Sequence, residues 1–411
     1  MDFSDFKLHE AVAAGVKATG FDTPTPIQVQ GIPEVMAGRD IMGLAQTGTG
    51  KTAAFVLPIL HRLMSGPRNK VRALVLAPTR ELAEQIRRDV VTLGKKTGLK
   101  SVSVYGGVGI APQAAALRRS QIVVACPGRL LDHMNRGNVD FSKLDVLVLD
   151  EADMMLDMGF LPDIRRILAK LPVNRQNLLF SATMPAEIRN LSKELLRDPK
   201  TVQVGNPAPA QTVSHAMYPV AQHQKTDLLL EILRATETRS VLVFTRTKHR
   251  AKRLGEKLAR AGYRSTSLQG NLSQGKRQAA LDGFRSGAYK VMVATDIAAR
   301  GIDVTRVSHV INFDVPDTSD AYIHRIGRTG RASCEGCAYT LVTNEDKAMV
   351  SAISRLLGGP VESRRVDGFN YGTQAPAKNP GSGPGKRPTF RPKQVGNGRS
   401  GGTRRPARQA R

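Results

Sequence analysis

Short apolar runs alternate with amphipathic stretches along most of the chain. In the first half these runs are nearly continuous in Val, Leu, Ile and Ala, which is typical of parallel strands covered on both faces. The stretches between them repeat their apolar positions with helical spacing. This succession predicts a doubly wound α/β sheet. The predicted strands are residues 40–44, 73–77, 101–105, 122–125, 146–149 and 178–180, and the clearest helices are 53–64, 81–93 and 161–168.

The alternation is interrupted near the middle of the chain and then resumes. Residues 204–210 read VGNPAPA, and small residues with two prolines are typical of a linker. The pattern that follows predicts a second α/β domain. Its predicted strands are residues 241–244, 265–268, 291–294, 307–312 and 338–342, and its predicted helices are 226–234, 248–261 and 274–284.

Near the end of the chain the composition changes to Gly, Pro, Lys and Arg with almost nothing apolar. Such a segment buries too little surface to offset its conformational entropy, so it is expected to be disordered. The predicted organisation is a first domain at residues 1–205, a linker at 206–214, a second domain at 215–365 and a disordered basic tail at 366–411.

Charge is the outstanding feature of the composition. Lys and Arg number 61 and Asp and Glu 35, so the net charge is 61 − 35 = +26. Residues 368–411 contribute ten positive charges and no acid, which leaves 26 − 10 = +16 on the rest. This balance favours a polyanionic partner, with nucleic acid first and an anionic membrane second. Aromatic residues make up only 5% and Trp is absent, so we expect contacts to phosphate and sugar rather than base stacking.

Several classes of protein are disfavoured by the sequence. No stretch reaches the roughly 18 apolar residues of a membrane span, so no membrane association is expected. The first residues have neither the basic nor the apolar region of a secretory signal. Three cysteines, Cys126, Cys334 and Cys337, are too few for a disulfide framework, and a cytoplasmic location fits them. The lone C-x-x-C at 334–337 supplies only two of the four ligands that structural zinc requires.

A glycine-rich segment, AQTGTGKT at residues 45–52, joins a predicted strand to a predicted helix. Gly48 and Gly50 would let backbone N–H groups turn onto phosphate oxygens, Lys51 would place its charge at the β- and γ-phosphates, and Thr52 could ligate Mg²⁺. Ala45 occupies the first position of the pattern, where glycine is usual. The alternative is a glycine-rich surface turn. The strand–loop–helix context favours the phosphate loop.

Three carboxylates, Asp150, Glu151 and Asp153, directly follow the apolar run at 146–149. Ligands of open α/β sheets bind at the carboxyl ends of the strands. A cation is therefore expected there, and Mg²⁺ on a triphosphate fits. Asp150 would hold the metal, and Glu151 would polarise the attacking water. The alternative is a helix N-terminus whose acids complement the helix dipole.

The residues 150–153 spell Asp-Glu-Ala-Asp, and with the other motifs the chain resembles the DEAD-box ATP-dependent RNA helicases over roughly its first 360 residues. It looks most similar to the bacterial RhlE-type members. The remaining motifs, in chain order, are GFDTPTPIQ at 20–28, PTRELA at 78–83, GG at 106–107, SAT at 181–183, VFTRT at 243–247, QGNLSQGKR at 269–277, ATDIAARGID at 294–303 and HRIGRTGR at 324–331.

The resemblance implies two tandem RecA-like domains and an ATP site between them. Phe21 would face adenine, Gln28 would pair with its polar edge, and Asp303 would accept from the ribose. Arg328 and Arg331, three positions apart, could share a helix face and reach the γ-phosphate, with Arg331 as the arginine finger. The expected ATP-binding set is Phe21, Thr23, Gln28, Ala45, Gln46, Thr47, Gly48, Thr49, Gly50, Lys51, Thr52, Gly301, Asp303, Arg328 and Arg331, and the expected catalytic set is Lys51, Asp150, Glu151, Arg328 and Arg331.

The resemblance also implies an RNA site on both domains and a group of residues that couples it to ATP. Glycines admit a sugar–phosphate backbone closely, and arginines can bind phosphate with two N–H groups. The expected RNA-binding residues are Pro78, Arg80, Gly107, Gly128, Arg129, Gly270 and Thr295, and the expected coupling residues are Asp153, Ser181, Thr183 and His324. Cys126 stands where the family usually has threonine, and a thiol is the weaker donor.

The expected activity is RNA-stimulated ATP hydrolysis that closes two domains and opens short RNA duplexes. An ATP-gated RNA clamp or ribonucleoprotein chaperone with little unwinding would use the same motifs and remains open. A translocating DNA helicase is the third alternative, and the scarcity of aromatics and the motif at 20–28 argue against it. RNA is the expected partner, and ribosomal or degradosome ribonucleoprotein components are candidate partners.

Overall fold

Two parallel seven-stranded sheets organise the chain. A computed structural model describes residues 1–45, 48–204, 213–236, 239–299, 307–330 and 336–372. We call the described residues up to 204 lobe 1 and those from 213 lobe 2. Both lobes belong to one unit, Met1–Tyr371.

The sheet of lobe 1 has the strand order β3-β4-β2-β5-β6-β1-β7, and every neighbouring pair is parallel. Its strands are β1 (Ile41–Leu44), β2 (Ala73–Leu76), β3 (Ser101–Val104), β4 (Ile122–Ala125), β5 (Val146–Leu149), β6 (Gln176–Ser181) and β7 (Lys200–Gln203). Its helices are α1 (Glu10–Thr19), α2 (Pro26–Met36), α3 (Lys51–Leu63), α4 (Arg80–Leu93), α5 (Ile110–Leu117), α6 (Pro127–Asn135), α7 (Ala152–Asp157), α8 (Leu161–Leu168) and α9 (Ala186–Leu195).

Lobe 2 repeats this order as β10-β11-β9-β12-β13-β8-β14, again with parallel neighbours. Its strands are β8 (Val213–Pro219), β9 (Val241–Phe244), β10 (Ser265–Leu268), β11 (Val291–Ala294), β12 (His309–Asn312), β13 (Gly336–Val342) and β14 (Glu362–Ser363). Its helices are α10 (Lys225–Ala235), α11 (Lys248–Arg260), α12 (Gln274–Arg285), α13 (Asp296–Ala299), α14 (Ser319–Ile326) and α15 (Lys347–Leu356).

The strands β2, β4, β5, β9 and β11 are apolar at every position because each sheet has a core on both faces. Along β5, Val146 and Val148 pack into one hydrophobic cluster, whereas Leu147 and Leu149 pack into the cluster on the opposite face. Successive side chains of a strand point to opposite faces, so a continuous apolar run fills both clusters. The prediction of doubly wound parallel sheets is confirmed.

The predicted strands are found to within about two residues, but three strands were not predicted. They are β7, β8 and β14, all at or beside an edge of their sheet. Exposed positions interrupt the apolar pattern in β7 and β8, and β14 has only two residues. Strand β8 begins at Val213, so the last two residues of the predicted linker belong to a strand, and residues 206–212 lie outside the described part of the chain.

The tail begins later than predicted. Val366, Phe369 and Tyr371 pack against the hydrophobic cluster of lobe 2, and Gln224 donates from Nε2 to the Asn370 carbonyl at 2.7 Å. The expectation that disorder begins at residue 366 is therefore wrong for residues 366–371. The side chains of Val366, Phe369 and Tyr371 hold this segment on the core. The basic residues of the tail lie outside the described residues. In the part of the chain that the structure describes, no helix combines the length and the apolar character that crossing a bilayer requires.

Candidate functional site

The glycine-rich loop lies at the carboxyl end of β1, between the sheet and the N-terminus of α3. The Ala45 N–H donates to the Ser181 carbonyl at 3.1 Å, which anchors the loop to the neighbouring strand β6. Gly48 and Gly50 have φ angles of 89° and 95°, a backbone region that favours glycine. A Cβ on Gly50 would lie 2.6 Å from the Gln28 side-chain nitrogen. Gln46 and Thr47 lie outside the described residues.

Lys51, the first residue of α3, forms a buried ion pair. Its Nζ is 3.0 Å from Oε1 of Glu151, and both side chains are almost fully buried. Burial disfavours the charged lysine, but Glu151, Asp150 and Asp153 outweigh this effect and raise the pKa of Lys51. The predicted lysine and carboxylates therefore meet, and Glu151 takes the place beside Lys51 that a phosphate oxygen would take.

Asp150 is the residue most suited to a cation. It is only 2% exposed, and burial raises the pKa of its carboxyl to about 7, against the lowering effect of Lys51. A buried carboxyl that resists ionisation is stabilised as an anion when a cation binds. Mg²⁺ is usually bound by one or two carboxylates together with water and substrate phosphates. Asp150 fits that ion, and so does the partly buried hydroxyl of Thr52, which follows Lys51 in the chain.

Glu151 has an unusual backbone conformation. Its φ and ψ are 52° and 53°, in the left-handed region, where it caps the N-terminus of α7. This conformation destabilises a residue that has a Cβ by roughly 1–2 kcal/mol. Such backbone strain is concentrated at functional sites. The turn aims the glutamate side chain back toward Lys51, which a helical conformation at this position would not do.

This strain makes a prediction about stability. Glu151→Gly should be more stable than Glu151→Ala by about 1 kcal/mol, because glycine adopts the left-handed region without the Cβ penalty. Both variants lose the ion pair with Lys51, so the comparison isolates the backbone. Thermal unfolding of the two variants measures it. Equal melting temperatures would show that residue 151 does not hold this conformation in solution.

Of the residues predicted to bind the base, Gln28 contacts the glycine-rich loop. Phe21 is 45% exposed and its ring stacks on Phe3, with a centroid distance of 6.2 Å. Gln28 is buried. Its Oε1 accepts from the Thr25 N–H at 2.9 Å, and its Nε2 donates to the Gly50 carbonyl at 3.1 Å. One N–H and further acceptor capacity remain on that amide, so Gln28 can join a bound base to the phosphate loop. Thr23 is exposed.

The predicted coupling residues converge on Asp153. Its Oδ2 accepts from the Thr183 N–H and the Thr183 hydroxyl, both at 2.9 Å, while its own N–H donates to the Ser181 hydroxyl at 3.3 Å. His324 of lobe 2 places Nε2 3.8 Å from the same carboxylate oxygen. A carboxylate beside the nucleotide loop is thereby linked to both lobes.

The arginines of lobe 2 are placed only in part. Arg328 is buried, but α14 ends at Ile326, so Arg328 lies in the turn after the helix. The prediction that a helix face presents it is therefore wrong, because Gly327 ends the helix one residue earlier. Arg331, Gly301 and Asp303 lie outside the described residues.

A groove of about 530 Å³, which we call the cleft, runs between the two lobes. Six of the seven predicted RNA-binding residues line it: Pro78, Arg80, Gly128 and Arg129 from lobe 1, and Gly270 and Thr295 from lobe 2. The seventh, Gly107, has a φ of 79°, and a side chain there would collide with the Arg80 guanidinium. Arg246 and Lys248 also line the cleft and were not predicted, although both follow the carboxyl end of strand β9.

A buried ion pair between Arg277 and Glu81 joins the lobes and was also not predicted. Arg277 of α12 places Nε 2.6 Å from Oε1 of Glu81 in α4, with the two side chains 10% and 6% exposed. Arg88 and Gln278 approach within 3.5 Å nearby. Both members of the buried pair belong to motifs quoted above, but no pattern within one segment indicates a partner 196 positions away.

Cys126 lines the cleft and caps α6 without a side-chain hydrogen bond to that helix. Burial raises the pKa of its thiol to about 12, so it is not a thiolate. Cys126→Thr should tighten RNA binding modestly, since a hydroxyl can donate to phosphate. It should also stabilise α6 by about 1 kcal/mol, because threonine is a good N-cap. RNA titration and thermal unfolding measure the two effects, and an unchanged affinity would show that residue 126 does not touch RNA.

Two regions of the chain match models of known protein families. Residues 25–191 match the family model described as DEAD/DEAH box helicase, and residues 224–333 match the helicase conserved C-terminal domain. The DEAD-box ATP-dependent RNA helicase CshA of Bacillus licheniformis is 43% identical over 357 residues, which covers 86% of this chain and 73% of that protein. The assignment to the RhlE-type members stays a prediction.

Two solved structures are similar to this chain over most of its length. Dbp5 of S. cerevisiae bound to RNA and ADP BeF3 is 32% identical, covers 89% of this chain and 96% of its own, and has a TM-score of 0.82. A DEAD box protein from Methanococcus jannaschii is 34% identical, covers 89% and 99%, and has a TM-score of 0.52.

Proposed function

Because the chain belongs to the DEAD/DEAH box helicase family, we propose that it hydrolyses ATP in response to RNA and uses closure of its two lobes to open short RNA duplexes. The observation that carries this proposal is the network around Asp153. It joins the nucleotide loop, the strand that ends in Ser181 and lobe 2 through hydrogen bonds and close contacts. ATP and RNA bound on either side of it would favour the same closed arrangement.

Lobe 1 supplies most of the proposed ATP site. Phe21 and Gln28 would receive the base, the N–H groups of the loop at 48–52 would receive the phosphates, and Lys51 would leave Glu151 for the triphosphate. Glu151, released from the lysine, would accept a hydrogen bond from the attacking water and orient it. Arg328 of lobe 2, with Arg331, would stabilise the charge on the transferred phosphoryl group.

We propose that Mg²⁺ accompanies the nucleotide, held by Asp150 and the Thr52 hydroxyl. When bound, the ion neutralises charge on the phosphates. Asp150 would then remain ionised, since a neighbouring cation opposes the effect of burial on its carboxyl.

RNA would lie in the cleft and touch both lobes. Arg80 and Arg129 can bind phosphate through their N–H groups, and the exposed Gly107 and Gly270 allow the backbone to approach. Since the cleft is lined by residues of both lobes, RNA binding favours the arrangement in which the lobes meet. Shared preference for that arrangement is sufficient to couple RNA binding to ATP binding.

The decisive experiment is ATPase activity with and without structured RNA. We expect RNA to raise the rate of hydrolysis and single-stranded DNA to raise it much less. Activation by DNA as strong as by RNA would favour a DNA helicase, and hydrolysis unaffected by RNA would contradict the proposal.

A strand-displacement assay on short RNA duplexes then separates unwinding from clamping. Release of the displaced strand that requires ATP is the expected result. RNA-stimulated hydrolysis without strand release would indicate an RNA clamp or ribonucleoprotein chaperone. Ribosomal and degradosome particles remain proposed partners and the cytoplasm the proposed location, and RNA crosslinking in cells would identify the target.

A further inference from the structure

A second groove lies on lobe 2 beside the cleft, and we call it the lateral groove. It has a volume of about 730 Å³ and is bounded by helix α11, strand β10 and the first turn of α12. Lys248 and Leu272 line both the lateral groove and the cleft. The two grooves therefore adjoin at these residues, and a chain that leaves the cleft past Lys248 and Leu272 would reach the lateral groove.

The floor of the lateral groove is polar because an edge strand forms it. Among the described residues, strand β10 pairs with β11 alone, and its sequence is STSL, with the first three residues partly exposed. Helix α11 crosses it closely at Gly255, where a Cβ would lie 3.2 Å from the Ser267 Cβ. Hydroxyls and backbone groups thus replace the apolar side chains that line most small-molecule pockets, and they suit sugar and phosphate oxygens.

The walls of the lateral groove are basic. Lys248, Lys252 and Lys276 line it and are exposed, and the one carboxylate among its lining side chains is Glu256. With His249 counted as neutral, three lysines and one glutamate give the lining side chains a net charge of 3 − 1 = +2. Glu256 lies 3.8 Å from Lys252 at the surface, a pairing that salt and water weaken. Within the described residues neither Lys248 nor Lys276 has a carboxylate partner.

We propose that the lateral groove binds the sugar–phosphate backbone of RNA that continues out of the cleft past lobe 2. This inference rests on the proposed function, since the strand lies in the cleft first. Lysines at the walls and hydroxyls at the floor match phosphate and ribose, and no Phe, Tyr or Trp lines the groove. The contacts are therefore independent of base sequence. They lengthen the bound segment of RNA at one end only.

The test uses the full-length protein with Lys252→Ala and Lys276→Ala combined. Lys248 is left unchanged because it also lines the cleft. Binding is measured by fluorescence anisotropy with a non-hydrolysable ATP analogue and three RNAs. One is the shortest oligo-U that fills the cleft, as found by length titration, and the others extend it at the 5′ or the 3′ end.

The double variant should bind the short RNA as the wild type does and should bind one of the two extended RNAs several-fold more weakly. Loss of two phosphate contacts should also make the salt dependence for that RNA shallower by about 1.4 in log Kd per log unit of salt, at roughly 0.7 per contact on a single strand. The other extended RNA should be unaffected, which identifies the polarity of the strand.

A variant with Lys95→Ala and Lys96→Ala is the matched control, because it removes two exposed lysines of lobe 1 that line neither groove. Equal losses in both variants would overturn the inference, as the effect would then be one of net charge. Unchanged affinity of the first variant for both extended RNAs would also overturn it, and the charge would then suit another ligand, such as an acidic protein surface. A wild type that binds no RNA would instead contradict the proposed function itself.

Discussion

Glu151→Gln is expected to abolish ATP turnover and to leave ATP binding intact. The amide keeps the size of the side chain but cannot accept a proton from water, and loss of a general base costs about 10²–10⁴ in rate. ATP binding should be equal to or tighter than that of the wild type. In the wild type, the ion pair between Lys51 and Glu151 has to open before the lysine can reach a phosphate, and the variant has no ionic partner to displace.

Steady-state hydrolysis with saturating RNA and equilibrium binding of a fluorescent ATP analogue measure the two halves of this prediction. Glu187→Gln, at an exposed glutamate in α9, is the matched control and should behave as the wild type. Hydrolysis at a normal rate in Glu151→Gln would show that the role assigned to Glu151 is wrong. Weakened ATP binding would show that its charge orders the loop.

Glu81→Ala is expected to lower kcat/KM for RNA by roughly two powers of ten or more. Glu81 is the partner of Arg277 across the two lobes, and removal of one member of a buried ion pair costs about 3–5 kcal/mol because the other charge stays buried. That cost falls on the arrangement in which the lobes meet, since Arg277 can reach water when they part. The closed population therefore decreases, and with it the response to RNA.

A double-mutant cycle separates closure from local damage. Glu81→Ala with Arg277→Ala should be no worse than either single change, because no lone charge is then buried. ATP affinity measured without RNA should change much less than the response to RNA in all three variants, because lobe 1 alone supplies most of the proposed ATP site and neither residue lies in it. Arg165→Ala, in an ion pair with Glu194 on the surface of lobe 1, is the control and should have little effect. Independent, additive losses would contradict the proposed contact between lobes.

The parts of the fold that the sequence predicts are those where burial is complete. Strands β4, β5, β9 and β11, which lie inside their sheets, were predicted with their observed bounds, and the partly exposed edge strand β10 is the exception that was also predicted. Central strands have a core on both faces, which leaves an uninterrupted apolar run. Edge strands such as β7 have exposed positions and lose that pattern. The predicted tail begins too early because Phe369 and Tyr371 lie between glycines in the sequence. In the structure these two aromatic rings hold the segment on the core.

The candidate site follows the same rule. The meeting of Lys51 with Asp150 and Glu151 was predictable, because all three follow the carboxyl ends of buried parallel strands of one sheet. The Lys51–Glu151 ion pair and the left-handed conformation of Glu151 were not, since both depend on side-chain and backbone geometry that no periodicity encodes. Contacts between lobes, such as Glu81 with Arg277, depend on how two separately patterned domains meet.

The identical strand order of the two sheets extends to the residues that follow corresponding strands. Helix α3 begins Lys51-Thr52 after β1, and α10 begins Lys225-Thr226 after β8. Lys225 donates from Nζ to the Phe313 carbonyl at 2.9 Å, just past β12, as Lys51 reaches the residues just past β5. The two halves therefore repeat one architecture, down to the lysine that follows the first strand of each sheet.

The segments that precede these two helices differ in composition. The five residues between β8 and α10 contain no glycine. Lys225 is fully buried, and this burial lowers the pKa of its side-chain ammonium group. The proposed ATP site therefore takes its phosphate loop from the first half of the chain, whereas the corresponding lysine of the second half donates to a backbone carbonyl inside its own domain.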